Sequence, residues 1–185
     1  DESVVVGMAA QLIPRKGHDV LLEAVSALTG RWPHLRVLIM GKGPLGPSVA
    51  QQIQAMDLEA QVQCVGFLTD IENVLPHLDF VVHPARTEGL GVALLQAASA
   101  GVAVIASRAG GMPEAVLHER TGLLIPPGDA QALVAAMERL LVDPALAARY
   151  GAEGRRRMAA EFSIESMVAG NLAVYRTLIN PIRSA

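Results

Sequence analysis

Thr87-Glu88-Gly89-Leu90-Gly91-Val92-Ala93-Leu94-Leu95-Gln96-Ala97-Ala98-Ser99-Ala100-Gly101, running on into Val102-Ala103-Val104-Ile105-Ala106-Ser107 and Arg108-Ala109-Gly110-Gly111, is the stretch from which the fold can be read. The apolar run that ends at His83-Pro84 reads as a strand delivering the chain to this point. Glu88 and two glycines then open a helix, because Gly89 and Gly91 let the backbone approach a ligand with no Cβ in the way. The first amides of such a helix lack internal partners, so they and the positive end of its dipole face whatever lies above the sheet. Gln96 stands eight residues after Glu88, about two turns along the helix and within the reach of a nucleoside diphosphate. A carboxylate and an amide at that spacing can hold hydroxyls while the amides between them hold phosphate. The expected ligand is anionic and rich in hydroxyls.

Outward from this stretch, the pattern alternates. Val4 to Ala10 reads as a buried strand, Gln11 to Gly17 as its exit loop, and His18 to Leu28 as a helix with Val20, Leu21, Ala24, Val25 and Leu28 inward. Leu35–Met40 is a second strand, followed by Gly41-Lys42-Gly43-Pro44 and a helix near Val49 to Met56. Val62–Val65 is a third strand with the exit loop Gly66-Phe67-Leu68-Thr69-Asp70, where Asp70 is placed to cap a short helix. Phe80–His83 is the fourth strand and Val102–Ala106 the fifth. A short helix from Pro113 and a strand at Leu123–Ile125 follow. Pro126-Pro127-Gly128-Asp129 then breaks the chain before a helix to Leu141 that Asp129 caps. Alternation with connections of this length predicts an α/β fold: an open, mostly parallel sheet with helices on both faces. Ligands bind such sheets at the carboxyl ends of the strands, which is where the loops bearing Gly, Lys and Glu fall. The tail reads as a helix over Pro144–Glu161 with an Arg155-Arg156-Arg157 run on a solvated face. A further helix capped by Ser163 carries Val168, Leu172, Tyr175 and Ile179 as an apolar stripe, expected to pack on this domain or on a second copy. The expected organisation is one domain over 1–185, with an α/β core over 1–143 and C-terminal helices over 144–185.

Composition sets the class. At 185 residues the chain can bury a core without disulfides. It is 51% hydrophobic but only 3% aromatic, so Ala, Val, Leu and Ile build the core, as suits parallel strands buried on both faces. A net charge of −3 argues against a nucleic-acid partner. Cys64, the single cysteine, reads as a buried strand residue and points to a reducing compartment. No apolar run reaches the roughly 18 residues of a membrane span. The chain opens on Asp1 and runs directly into a strand, which leads one to expect a fragment or a processed product.

In order along the chain, Ala10-Gln11-Leu12-Ile13-Pro14-Arg15-Lys16-Gly17, Gly41-Lys42-Gly43-Pro44, Gly66-Phe67, Glu88-Gly89-Leu90-Gly91 with Gln96 eight on, Gly110-Gly111-Met112-Pro113-Glu114, Thr121-Gly122 and Pro126-Pro127-Gly128-Asp129 together resemble the retaining family-4 (group 1) glycosyltransferases. The resemblance covers nearly the whole chain and corresponds to the C-terminal, donor-binding half of the two-domain GT-B fold, a Rossmann-like domain. It implies transfer of a hexosyl group from a nucleoside-diphosphate sugar to a glycan, lipid or small-molecule acceptor, with retention of configuration. The N-terminal acceptor-binding half is absent, so the isolated chain is expected to be inactive. By the same resemblance, Lys16 neutralises the donor diphosphate and Glu88 lies near the transferred sugar, and these two are the catalytic candidates. Gln11 falls where the family carries a phosphate-binding arginine, with Arg15 beside Lys16 a further donor contact. Gln96 replaces the second glutamate of the E-x7-E pattern, which holds the ribose. The backbone of Leu90, Gly91 and Val92 meets the phosphates, with Gly89 a further donor contact, Gly66, Phe67 and Leu68 frame the base, and Gly41 and Gly43 stand on the same edge. The resemblance implies no metal and no cofactor beyond the donor itself, which is a substrate. It implies a cytoplasmic protein, with peripheral contact at the inner membrane face a further expectation for the full-length protein.

Plainer readings stand beside these. Lys16 can be a solvated loop lysine, Glu88 a residue that merely suits a helix N-terminus, and Gln96 a surface amide. Gly110-Gly111 and Gly41-Lys42-Gly43 can be tight turns only. His83 reads as a structural strand-end histidine, and His18, His34, His77 and His118 lack metal-ligand spacing. Gly41-Lys42-Gly43-Pro44-Leu45-Gly46 is a literal G-x-G-x-x-G, which keeps open an NAD-dependent Rossmann protein, although it follows the second strand and not the first. A non-catalytic nucleotide-binding module is the other alternative.

Overall fold

The computed structural model describes residues 3–183, with side chains described through Ile179. Asp1, Glu2, Ser184 and Ala185 of the expected 1–185 domain lie outside the described residues. The strands are β1 (Val4–Ala9), β2 (Leu35–Met40), β3 (Val62–Gly66), β4 (Phe80–His83), β5 (Ala103–Ser107) and β6 (Gly122–Ile125). The helices are α1 (His18–Thr29), α2 (Gly46–Ala55), α3 (Ile71–Val74), α4 (Val92–Ser99), α5 (Met112–Ala115), α6 (Ala130–Val142), α7 (Pro144–Glu161) and α8 (Ile164–Arg183). Every ladder between the strands is parallel, in the order β3-β2-β1-β4-β5-β6.

Apolar residues alternate between two cores because successive side chains on a strand point to opposite faces. Phe80 and Val82 of β4, with Ile105 of β5, pack with α1, α2, α6 and Tyr150 of α7 on one face. Val81, Val104 and Ala106 pack with Leu94 and Ala97 of α4 and with Met112 on the other. Both faces are therefore dry, as the Ala/Val/Leu composition requires. The helices are stopped by local chemistry: Asp129 caps α6 by accepting from the Ala132 amide at 2.8 Å, and Asp143 caps α7 through Leu146 at 3.0 Å.

Several expectations need correction. Cys64 is exposed, not buried: β3 is the edge strand of the sheet, with a neighbouring strand on one side only. Asp70 precedes α3 without accepting a capping bond through its side chain. The helix expected to open at Glu88 begins at Val92, since Gly91 sits at φ +78 as its N-cap and a left-handed residue cannot continue a helix. Glu88 therefore belongs to the loop before α4. The Arg155-Arg156-Arg157 run is not one solvated face: Arg157 folds onto the domain and donates to the carbonyls of Ala115 (2.9 Å) and Glu114 (2.7 Å). The stripe on α8 does not pack on this domain; Val168, Leu172, Tyr175 and Ile179 are all exposed.

Candidate functional site

The site follows from the strand order. β1 lies between β2 and β4. The chain leaving β1 turns to α1 on one face of the sheet, while the chain leaving β4 turns to α4 on the other. Diverging loops leave a crevice at the carboxyl ends of these strands, the topological switch point where α/β sheets take their ligands.

The loops beside the crevice are stapled to each other. After β1, a 3-10 turn over Pro14–Lys16 runs into Gly17, the N-cap of α1. The Arg86 amide donates to the Arg15 carbonyl at 2.8 Å, and the Arg86 guanidinium grips both carboxylate oxygens of Asp19 at 2.8 and 2.7 Å. From the β5 side, the Gly111 amide donates to the Gly89 carbonyl at 2.7 Å. Gly110, at φ +54, backs the same loop so closely that a Cβ there would collide with the Glu88 carbonyl oxygen. The glycine pair after β5 thus supports the Glu88 loop instead of merely turning the chain.

These supports converge on one carboxylate. Glu88 Oε2 accepts from the Lys16 ammonium and lies 2.8 Å from His83 Nε2, while Oε1 accepts from the Gly89 amide at 3.0 Å and faces Arg15 Nη1 at 3.6 Å. Lys16 and His83 are buried, an unusual state for a lysine and one that requires a partner. Burial alone would raise the Glu88 carboxyl, but hydrogen bonds from Lys16, His83 and Gly89, with the Lys16 charge, outweigh it and hold the group down at about 2. His83 is held below the usual histidine range, first by burial and then by the charges of Lys16 and Arg15, against the opposing pull of Glu88. His18, also buried, is lowered to about 4 by burial and by His83, with Asp19 opposing. The cluster therefore holds an ionised carboxylate and neutral imidazoles at neutral pH.

A second part of the site is a cavity of about 660 Å³, lined by Gln11 after β1, Gly41 and Lys42 after β2, Phe67 and Leu68 after β3, and Val92 and Gln96 of α4. Of the residues singled out in the sequence, Gln11, Gly41, Phe67, Leu68, Val92 and Gln96 meet here. Lys16, Arg15, Glu88 and Gly89 form the ion-paired cluster, and Leu90 and Gly91 lead from it into α4. Gly43 and Gly66 shape the rim from behind: the Gly41 amide donates to the Gly66 carbonyl at 2.7 Å, and a Cβ on Gly43 would meet the Leu12 backbone. The residue that sequence reasoning set aside is His83. Its signal was positional: a strand-end polar residue five places before Glu88. Among the described residues no three His, Cys, Asp or Glu side chains gather as a metal site, and no helix is long and apolar enough to cross a membrane.

Residues 1–157 match the family described as glycosyl transferases group 1. A GDP-mannose-dependent monoacylated alpha-(1-6)-phosphatidylinositol monomannoside mannosyltransferase of Corynebacterium glutamicum is 36% identical over 90% of this chain and 45% of its own length. The chain thus spans less than half the length of that relative. Among solved structures, Anabaena HepE in complex with UDP superposes with a TM-score of 0.85 and 27% identity, over 96% of this chain and 49% of its own. The C-terminal domain of a group 1 family protein from Francisella tularensis shares the fold at a TM-score of 0.80 and 24% identity, each chain covered over 87% of its length.

Proposed function

Because the chain belongs to the glycosyl transferases group 1 family, we propose that it is the nucleotide-sugar-binding half of a glycosyltransferase that moves a hexosyl group to an acceptor with retention of configuration. The observation that carries this reading is the adjacency of a nucleoside-sized cavity and the Lys16–Glu88 pair at one switch point. The Corynebacterium relative is described as using GDP-mannose and the Anabaena structure holds UDP, in keeping with a nucleoside-diphosphate sugar here.

Transfer breaks the bond between the anomeric carbon and the diphosphate, so negative charge grows on the departing group. Donors aimed at that charge lower the barrier more than they strengthen donor binding. The free amides at the start of α4 are one such set. Lys16 is the other: released from Glu88, its ammonium is a mobile point charge suited to phosphate. Gln11 and Gln96 supply neutral amide contacts in the cavity, able to donate and to accept toward ribose and phosphate oxygens. Half of the cleft belongs to an acceptor domain outside this chain, so the isolated chain binds nucleotide and transfers no sugar.

Calorimetry of the chain with UDP, GDP, ADP and NAD tests the reading. Binding of a nucleoside diphosphate is expected; NAD binding alone would overturn it. In the complete transferase Lys16→Ala is expected to lower kcat by more than it raises the donor KM, and equal losses in both would remove Lys16 from the transition state.

A further inference from the structure

We propose that His83 is a positioning residue for Glu88: its Nε2–H holds the carboxylate in place when Lys16 leaves it for the ligand. The inference rests on the reading of Lys16 and Glu88 as donor-site residues given above. It starts from a shared acceptor, for Lys16 and His83 both address Oε2 of Glu88, the histidine at 2.8 Å. An ammonium has three N–H donors, and a diphosphate, which carries more charge than one carboxylate, draws the flexible Lys16 head away from that oxygen. Glu88, itself only 10% exposed at the side chain, would then be a nearly buried carboxylate stripped of its cation, a costly state unless other donors remain.

His83 is placed to be that donor. It is the last residue of β4, 2% exposed, and locked by the sheet, so it cannot follow Lys16 outward. Its Nδ1 is buried without a partner. A carboxylate oxygen only accepts, so the single ring proton sits on Nε2 and points at Glu88. Burial beside Lys16 and Arg15 disfavours a second ring proton, which makes His83 a neutral brace and not an acid. With the Gly89 amide on Oε1 at 3.0 Å, two fixed donors hold the two oxygens of one carboxylate while the flexible lysine is free to move.

Two amide substitutions separate this role from plain packing. Glutamine places its N–H near the position of histidine Nε2, whereas asparagine ends near Nδ1. The reporter is the Gly89 amide signal in a proton–nitrogen NMR spectrum of the 185-residue chain, because that amide donates to Glu88. In a Lys16→Met background, His83→Gln is expected to leave the Gly89 signal in its hydrogen-bonded position and His83→Asn to move it. An unmoved signal in the Asn variant overturns the proposal. Nitrogen-15 ring spectra of the unsubstituted chain are expected to show the proton of His83 on Nε2; a proton on Nδ1 overturns it without any variant having to fold. In the complete transferase, His83→Asn is expected to lower kcat about tenfold or more with the donor KM nearly unchanged, while His83→Gln stays within about threefold. Equal losses in the two variants also sink the idea. The spectroscopic measurements need neither nucleotide nor turnover, so a chain that binds no donor would refute the transferase reading and leave the brace to be judged on Gly89 alone.

Discussion

Replacing Glu88 by glutamine should make the stability of this domain respond to pH in a specific way. Glu88 sits at about 2 where an ordinary glutamate sits at 4.5. At about 1.4 kcal/mol per tenfold change, that depression corresponds to about 3 kcal/mol of stability from the ionised carboxylate. The sign follows from the direction. A carboxyl lower in the folded than in the unfolded chain contributes in full above pH 4.5 and loses its contribution as the pH falls toward 2. Glu88→Gln removes the charge but keeps the shape, leaving Lys16 buried with only an amide oxygen to face. The expected gap between the two proteins is about 3 kcal/mol at pH 7, narrowing to about 1.5 kcal/mol at pH 3. Urea unfolding of both at pH 7, 5, 4 and 3, followed by circular dichroism, measures it. A gap of the same size at every pH, or one below about 1 kcal/mol at pH 7, would mean that the Lys16–Glu88–His83 cluster does not hold an ionised carboxylate as described.

Gly110→Ala is expected to cost about 2 kcal/mol or more in the same unfolding assay, because the position has φ +54 and the added methyl meets the Glu88 carbonyl; a neutral outcome would show that the Glu88 loop is loosely held. Gln11→Arg adds a cation to the wall of the 660 Å³ cavity and is expected to tighten UDP or GDP about tenfold by calorimetry. An unchanged affinity would place the phosphates away from that residue. The double substitution Leu172→Ser with Tyr175→Ser is expected to change stability by less than about 0.5 kcal/mol, since both side chains are already exposed on α8; a clear loss in chemical denaturation would show that the stripe is covered in solution.

Much of this architecture is written locally. The bounds expected for β2 and β4 coincide with those observed, because both are short apolar runs closed by Gly41 and Pro84. The helix caps at Asp129 and Asp143 are local chemistry as well. The parallel, doubly covered sheet follows from strand–helix alternation and an Ala/Val/Leu core. Glu88 and Gln96 are marked by their spacing of eight residues, and Lys16 and Gln11 by the resemblance to the group 1 glycosyltransferases.

What the chain order could not disclose is which loops meet and which surfaces stay bare. Only the position of β3 at the edge of the sheet exposes Cys64. Only the left-handed turn at Gly91 moves the start of α4 from Glu88 to Val92. Lys16 and Glu88 lie 72 residues apart, yet the adjacency of β1 and β4 brings them into contact, and burial there keeps the nearby His83 neutral beside Glu88. Short-range patterning determines secondary structure because propensity, capping and hydrophobic period act over a few residues. Pairing of charges, and the proton affinities that follow from it, depends on distances set by strand order and on the water that packing removes, and those exist only in the folded protein.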